Sequence, residues 1–467
     1  MGVSAETQRW IELDRRHHLH PFTTFKELAA KGSRIIVRGE GCYLWDSEGN
    51  RLLDGMSGLW CINVGYGRER LARAAYEQMR RLPFYNSFFQ CSTPPAIELA
   101  AKLAELLPHG LDKIFFVSSG SEANDTIVKS VWYYWNLLGR PRKKHFISRK
   151  LGYHGIGLGS ASLTGMNFMH RPFDLPLPRF SHIGNPYWFV EGGGLDPEAF
   201  GLKAAAELEE RILDIGPDSV AAFVGEPIQG AGGVIVPPDS YWPEIQRICR
   251  KYDVLLVADE VICGFGRTGN WWGSQTYGIE PDAVAMAKGL TSGYQPLAAV
   301  AFGRRLGDVL YKSDFEYAHG VTYAGHPTAC AVALENIAIL EEEGLATRAS
   351  GPIGDCFAKG LQTLADHPLV GEVRTKGLLA AIEIVEDKAS RKLFEPQGKL
   401  GLTIRDLAIG NGIVMRAVRD ALVLAHRNEH REARERLAYD ELLANSLALM
   451  LVRNANRAQS GTPLKGD

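Results

Sequence analysis

The chain has 467 residues, of which 45% are hydrophobic and 23% charged, and a formal net charge of −2. That length supports two or three domains, and the balanced charge gives no general attraction to nucleic acid or to an anionic membrane. Seven scattered cysteines without a C-x-x-C pair, no apolar run of bilayer-spanning length and a polar N-terminus without a signal-peptide core point to the reduced cytoplasm.

In chain order, the first residues read as a helix up to Arg15-Arg16. His17, His18 and His20 then precede Pro21-Phe22. No cysteine or carboxylate cluster accompanies the three histidines, so solvated or locally hydrogen-bonded rings are expected, and no metal. Arg34 to Arg38 and Tyr43 to Trp45, with glycine- and asparagine-bearing turns, read as a small antiparallel sheet. Leu53 to Gly67 reads as a glycine-rich loop in which Trp60 is either core or the wall of a pocket. Helical spacing follows over Leu71 to Leu82 and Ile97 to Leu107, with an aromatic loop containing Phe88 between them.

Ile114 to Val117 reads as a buried strand, followed at once by Ser118-Ser119-Gly120-Ser121-Glu122-Ala123-Asn124-Asp125 and a helical face. A turn of this kind is an N-cap, and its free N–H groups and helix dipole also suit a phosphate. The basic stretch Gly139 to Lys150 reads as a solvated loop around the strand His145 to Ser148. Tyr153 lies beyond that strand, where its ring could stack on a flat ligand. A helix over Ala204 to Ile215, a strand over Ala221 to Val224 ending in Gly225-Glu226-Pro227, and a helix over Tyr241 to Tyr252 come next.

Val254 to Ala258 is a continuous apolar run that suits a strand buried on both faces, and Asp259 stands at its end. Ala283 to Ala287 is a second such run, ending in Lys288. In an open α/β sheet, ligands bind beyond the carboxyl ends of the strands, so the two runs aim an acid and an amine into one cleft. That pairing suits pyridoxal phosphate (PLP), whose aldehyde forms a Schiff base with lysine and whose pyridine nitrogen an acid keeps protonated. The plainer reading is an acid and a lysine at two ordinary strand ends. Gly264 to Gly269 matches G-x-G-x-x-G, but Asn270-Trp271-Trp272-Gly273 is a poor helix start, so an NAD site is rejected. A strand over Leu297 to Phe302, a polar loop at 319–327 and a helix over Ala329 to Glu343 follow. A domain boundary falls within or after that helix. Beyond it the pattern predicts helices near Ile353 to Ala365 and Leu400 to Gly410, and strands over Leu378 to Val385 and Ile413 to Leu424.

Seven stretches in this order resemble the class III PLP-dependent aminotransferases, nearest to the ω-amino acid or amine:pyruvate transaminases. They are GLWCINVGYG at 58–67, SSGSEAND at 118–125, GYHG at 152–155, EPIQGAGGVIVPP at 226–238, DEVICGFGRTG at 259–269, MAKGLTSGY with Lys288, and HGVTYAGHP at 319–327. The resemblance implies an α/β protein of PLP fold type I. A large doubly wound domain with a mostly parallel sheet (56–328) would join a smaller α+β domain built from both chain ends (1–55 and 329–467). It implies that Lys288 holds the cofactor and shuttles the substrate proton, that Asp259 bonds the pyridinium nitrogen, and that Ser119, Gly120 and Ser121 bind the phosphate. Tyr153 would stack on the ring, with His154, Glu226 and Ile262 also at the cofactor. Some relatives carry Gln at the position of Ile262, so its polar contact is absent here. Phe22, Trp60, Phe88, Tyr153, Ala231 and Arg416 would line the substrate pocket, Arg416 pairing with the keto-acid carboxylate. Thr322 would reach the phosphate of the partner subunit in a homodimer or tetramer. The implied reaction moves an amino group from an ω-amino acid or amine (a polyamine, β-alanine, taurine or an arylalkyl amine) to pyruvate. An aminomutase on the same scaffold ranks second. After Ala425 the chain departs from such relatives: the usual Pro-Pro turn is missing, and a charge run from His426 to Arg436 predicts a weakly anchored tail.

Overall fold

The computed structural model describes residues 3–425 apart from 109 and 419, so the expectations for the tail after Ala425 lie outside the described residues. Fifteen strands enter the description. Near the N-terminus are β1 (Ile36–Glu40), β2 (Tyr43–Asp46) and β3 (Arg51–Asp54). The central run comprises β4 (Leu111–Val117), β5 (His145–Arg149), β6 (Phe180–Ile183), β7 (Val220–Gly225), β8 (Leu255–Asp259), β9 (Ala283–Met286) and β10 (Ala298–Gly303). The last are β11 (Val370–Lys376), β12 (Leu379–Ile384), β13 (Ile413–Val414), β14 (Arg416–Val418) and β15 (Ala421–Ala425).

Strands β4 to β10 form one seven-stranded sheet in the order β4-β10-β9-β8-β7-β5-β6. Only β10 runs against its neighbours β4 and β9; the pairs β9–β8, β8–β7, β7–β5 and β5–β6 are parallel. The carboxyl ends of the other six strands therefore share one edge. Asp259 lies opposite Ala285, and Met286 opposite Ala299, which fixes the register there.

The apolar runs make this sheet because helices cover both faces and alternate residues serve each. Leu255 and Val257 pack with Ile127, Val131 and Trp135 of the helix Gly120–Leu137. Leu256 turns the other way, onto Leu208 of the helix Pro197–Ile215 and Ile245 of the helix Tyr241–Lys251. Each fully buried aliphatic side chain contributes about 1.5–3 kcal/mol by leaving water. Continuous apolar strands thus signal a doubly covered parallel sheet, as the sequence predicts. The helices Pro94–Leu106 and Pro327–Glu342 add Leu99, Leu103 and Ile337 over Val284 and Met286.

Two further sheets join the chain ends. One has the order β1-β2-β3-β13, with β13 parallel to β3. The other is antiparallel, β11-β12-β15-β14, and is covered by Phe357, Leu361, Ile404 and Ala408. Ala425 N donates to Gly55 O at 3.0 Å, tying the second sheet to the segment that follows β3.

The structure corrects several predicted elements. Ile413 to Leu424 is not one strand: β13, β14 and β15 share it among two sheets. The Leu53 to Gly67 loop starts inside β3 and holds a tight turn at Ser57–Trp60. Strands β3, β6 and β11 are additional; each is short or charged and owes its place to pairing with neighbours, which local pattern does not carry.

Candidate active site

The shared carboxyl edge gathers the predicted residues. Ser119 caps the helix Gly120–Leu137: its Oγ accepts from Glu122 N at 3.2 Å, while Glu122 Oε2 accepts from Ser118 N at 2.7 Å. The first N–H groups of an eighteen-residue helix, those of Gly120 and Ser121, have no partner within it. Ser121 Oγ accepts from Ile156 N at 3.1 Å, which holds the loop after β5 against this turn. A Cβ at Gly120 would meet Val261 at 3.1 Å and Ala287 at 3.7 Å, so the helix start lies directly against the ends of β8 and β9.

Asp259 is buried and fully engaged. Its Oδ2 accepts from Asn124 Nδ2 and from His154 Nδ1, each at 2.8 Å, and its Oδ1 accepts from Val261 N at 3.1 Å. Three donors thus hold this one carboxylate in place. Asn124 Nδ2 also donates to His154 O at 2.8 Å, so one amide clamps both residues. Two atoms of the cluster are buried and unpartnered, Asn124 Oδ1 and His154 Nε2.

Lys288 begins a short turn after β9 with φ +44°. A left-handed backbone at a non-glycine residue costs about 1–3 kcal/mol and gathers at functional sites. Burial lowers its pKa to about 8, against the opposing pull of Asp259. Among the described residues its amine has no hydrogen-bond partner, and it lies 5.5 Å from the centre of the Trp60 ring. Trp60 is buried, has φ +59°, and leaves Nε1 unpartnered. It packs with Ala231, Ile262 and Tyr153. A Cβ at Gly230 would strike Ile262 at 2.6 Å and Trp60 at 3.0 Å, so only glycine lets these walls meet.

Glu226 is buried at the end of β7, and burial raises its pKa. Its two oxygens accept from Tyr153 N and Gly230 N, each at 3.0 Å, so it joins two walls of the site. Arg416 on β14 sits 6.0 Å from the Trp60 ring centre; burial lowers its pKa while the Tyr153 phenol opposes this. Among the described residues its guanidinium has no hydrogen bond or ion pair. It borders an open cleft of about 950 Å³ whose walls include Leu151, Met166, Phe168 and Val418.

Three predicted residues do not join this group within one chain. Phe22 is exposed on a surface groove with Leu28 and Ile409. Phe88 lines another groove with Phe115 and His319, against Gly320, and Thr322 nearby in sequence is exposed. The G-x-G-x-x-G run is structural: Gly266 and Gly269 pack against Ala346 and Ser350, and a helix of only five residues follows at Gly273–Tyr277. Asn124 and Met166 were not singled out from sequence. Asn124 lies within the quoted SSGSEAND, but nothing local shows that its amide spans 135 residues to Asp259. At the N-terminus, Asp14 accepts from both His18 and His20, supplying the carboxylate that the sequence reading finds missing.

An uncommitted amine of lowered pKa, a fixed carboxylate, unpartnered buried polar atoms and an open helix N-terminus meet at one sheet edge. This set fits PLP: an amine for the aldehyde, an acid for the ring nitrogen, N–H groups for the phosphate. The family model of the class-III aminotransferases matches residues 28–432, and the chain belongs to that family of PLP-dependent transaminases. It is 52% identical over 423 residues to a putrescine–pyruvate aminotransferase of Pseudomonas aeruginosa, covering 91% of this chain and 92% of that one. Among solved structures it resembles an (S)-enantioselective ω-transaminase of Thermomicrobium roseum, with TM-score 0.92, 44% identity, and 97% and 99% of the two chains covered. It also resembles an ω-transaminase of Pseudomonas jessenii in complex with PMP, with TM-score 0.93, 45% identity and the same coverage of 97% and 99%. The predicted fold class and transamination chemistry hold.

Proposed function

We propose that this enzyme transfers the amino group of an aliphatic diamine, of the putrescine type, to pyruvate, giving alanine and an aminoaldehyde. The observation that carries the keto-acid half is Arg416, an uncommitted, half-buried guanidinium beside Trp60 and Tyr153. An unpaired buried charge is costly, so such a group is poised for an anion, and its planar fork matches a carboxylate. The similarity to the putrescine–pyruvate enzyme and the roomy cleft beside Arg416, which Glu191 also lines, support the diamine half.

When bound, PLP supplies the electron sink and carries the amino group between two half-reactions. The chain does the rest. Gly120 and Ser121 would hold the phosphate through their N–H groups, with Ser119 fixing the turn. Asp259, held by Asn124 and His154, keeps a proton on the ring nitrogen. Tyr153 and Ile262 would confine the ring, and Glu226 fixes the Tyr153 and Gly230 backbones. Lys288 Nζ removes and returns the proton on the amine-bearing carbon, a task for which a pKa of about 8 suits it. Trp60 and Ala231 wall the substrate side.

A second copy completes the site by bringing Phe22, Phe88 and Thr322. Supporting this, Phe22, Phe89, Phe315 and Tyr323 are all exposed large aromatics, the kind of surface that marks an interface. We place the enzyme in the cytoplasm as a homodimer; among the described residues the cysteines form no disulfide. The division into residues 56–328 and a small domain from both ends agrees with the β3–β13 pairing.

A panel of amines with pyruvate, read as alanine formed, tests the reading. Putrescine should lead; β-alanine, taurine or an arylalkyl amine exceeding it tenfold in kcat/KM would replace the donor. With Arg416→Ala, KM for pyruvate should rise at least tenfold while a simple aldehyde acceptor is spared. Equal losses with both acceptors would remove Arg416 from carboxylate binding.

A further inference from the structure

The N-terminal helix Ala5–His17 ends beside a second cluster of titratable groups, outside the transaminase site. Asp14 Oδ1 lies 3.1 Å from His18 Nδ1 and 2.9 Å from His20 Nε2, and Asp14 Oδ2 lies 2.9 Å from the same His20 nitrogen. The two imidazole rings are 4.3 Å apart. One ligand atom from each of the three residues lies within 4.8 Å of the others, and among the described residues no other His, Cys, Asp or Glu group converges in this way. We propose that Asp14, His18 and His20 bind a divalent cation of the zinc type, which fastens the helix end to the turn carrying Phe22.

The donor set selects the cation. Two neutral imidazoles and one carboxylate suit zinc, cobalt or nickel; calcium and magnesium prefer all-oxygen sites. Ligands about 2.0–2.1 Å from a tetrahedral zinc stand roughly 3.3–3.4 Å apart. The two contacts to Asp14, 2.9 and 3.1 Å, need to open by a few tenths of an ångström, and the two ring nitrogens, within 4.8 Å of each other, need to settle at the same spacing. The proton balance closes as well. The proton on each ring nitrogen facing Asp14 leaves to solvent as the cation takes its place, and each neutral ring takes one up on its other nitrogen, a change of tautomer with no net proton released.

The surroundings act on a cation in both directions. The Ser33 hydroxyl lies beside Asp14. Ser33 Oγ itself is buried and makes no well-formed hydrogen bond, so a water on the cation would give it a partner. The carboxyl end of a helix attracts cations. Arg15, Arg16 and His17 in the last turn oppose this, the Arg15 guanidinium being bonded to the Ala29 carbonyl. The Asp14, His20 and His18 side chains are 15%, 24% and 62% exposed, which leaves one side open for a water as fourth ligand.

The test uses the PLP-loaded enzyme freed of metal with a chelator and titrated with zinc chloride by calorimetry. One site per chain is expected, weakened at least tenfold in Asp14→Asn and in His20→Ala. Zinc should slow tryptic cleavage after Arg15 and Arg16 in the wild type only. His18→Gln, at the most exposed position, guards against misfolding: its metal-free melting curve should match the wild type while zinc binding weakens at least tenfold. Zinc isotherms that superimpose for the wild type and His18→Gln would overturn the proposal and assign the binding to thiols or other groups.

Discussion

Asp259→Asn separates the structural and chemical duties of one carboxylate. The replaced side chain must still satisfy donors from Asn124, His154 and Val261. If the amide oxygen takes the place of Oδ2, the Asn124 and His154 bonds survive and the amide NH₂ faces Val261 N–H. In the reverse orientation His154 can switch tautomer, because its Nε2 has no partner to lose, but Asn124 Nδ2 stays opposed. Either way about one buried donor loses its acceptor, at roughly 1–3 kcal/mol of stability. The chemical cost is larger. Removing the charge that faces a pyridinium amounts to breaking a buried pair, about 3–5 kcal/mol, or roughly 10²–10⁴-fold in rate at about 1.4 kcal/mol per decade. The assay is alanine formation from putrescine and pyruvate, with urea unfolding and cofactor absorbance on the same preparation. Turnover within about fivefold of wild type, in a folded variant that retains its cofactor, would refute the assigned role of Asp259.

Two further outcomes are expected. Burial depresses the Lys288 pKa to about 8, so without cofactor the unfolded chain binds the extra proton between about pH 8 and 10.5. Stability of the apoenzyme from this group therefore rises with pH across that window, and Lys288→Met should flatten the rise; equal pH slopes for the two proteins would contradict it. If a second copy supplies Thr322, mixing inactive Lys288→Ala with inactive Thr322→Trp should restore roughly a quarter of wild-type activity once subunits reassort. No recovery, despite mixed dimers seen by mass, would place Thr322 outside the shared site.

The sequence shows the large sheet well because its strands are covered on both faces and so read as unbroken apolar runs, as at Val254 to Ala258 and Ala283 to Ala287. Strand ends then predict where Asp259 and Lys288 meet. Short strands with charged residues carry no comparable signature: β3 is Arg-Leu-Leu-Asp, and β11 keeps three charges in seven residues. The turn at Arg416 is invisible for another reason. Ile413 to Leu424 has the texture of one strand, and only pairing partners from distant parts of the chain divide it. Contacts such as Asn124 to Asp259 follow from the packing of the sheet edge, not from any spacing. The His18 and His20 cluster needs Asp14 brought round by a helix end, which residue type alone does not reveal.

The backbone at Trp60 bears on how this pocket can change over generations. A bulky residue at φ +59° is held in a shape that glycine adopts without penalty. Exchanging a buried tryptophan for alanine forfeits about 3–5 kcal/mol of packing. At this position glycine would return about 1–3 kcal/mol of that through relieved backbone strain. Trp60 is thus less costly to replace than its burial alone suggests. A lineage could remove that wall in a single substitution and keep the sheet edge that holds Lys288 and Asp259 untouched.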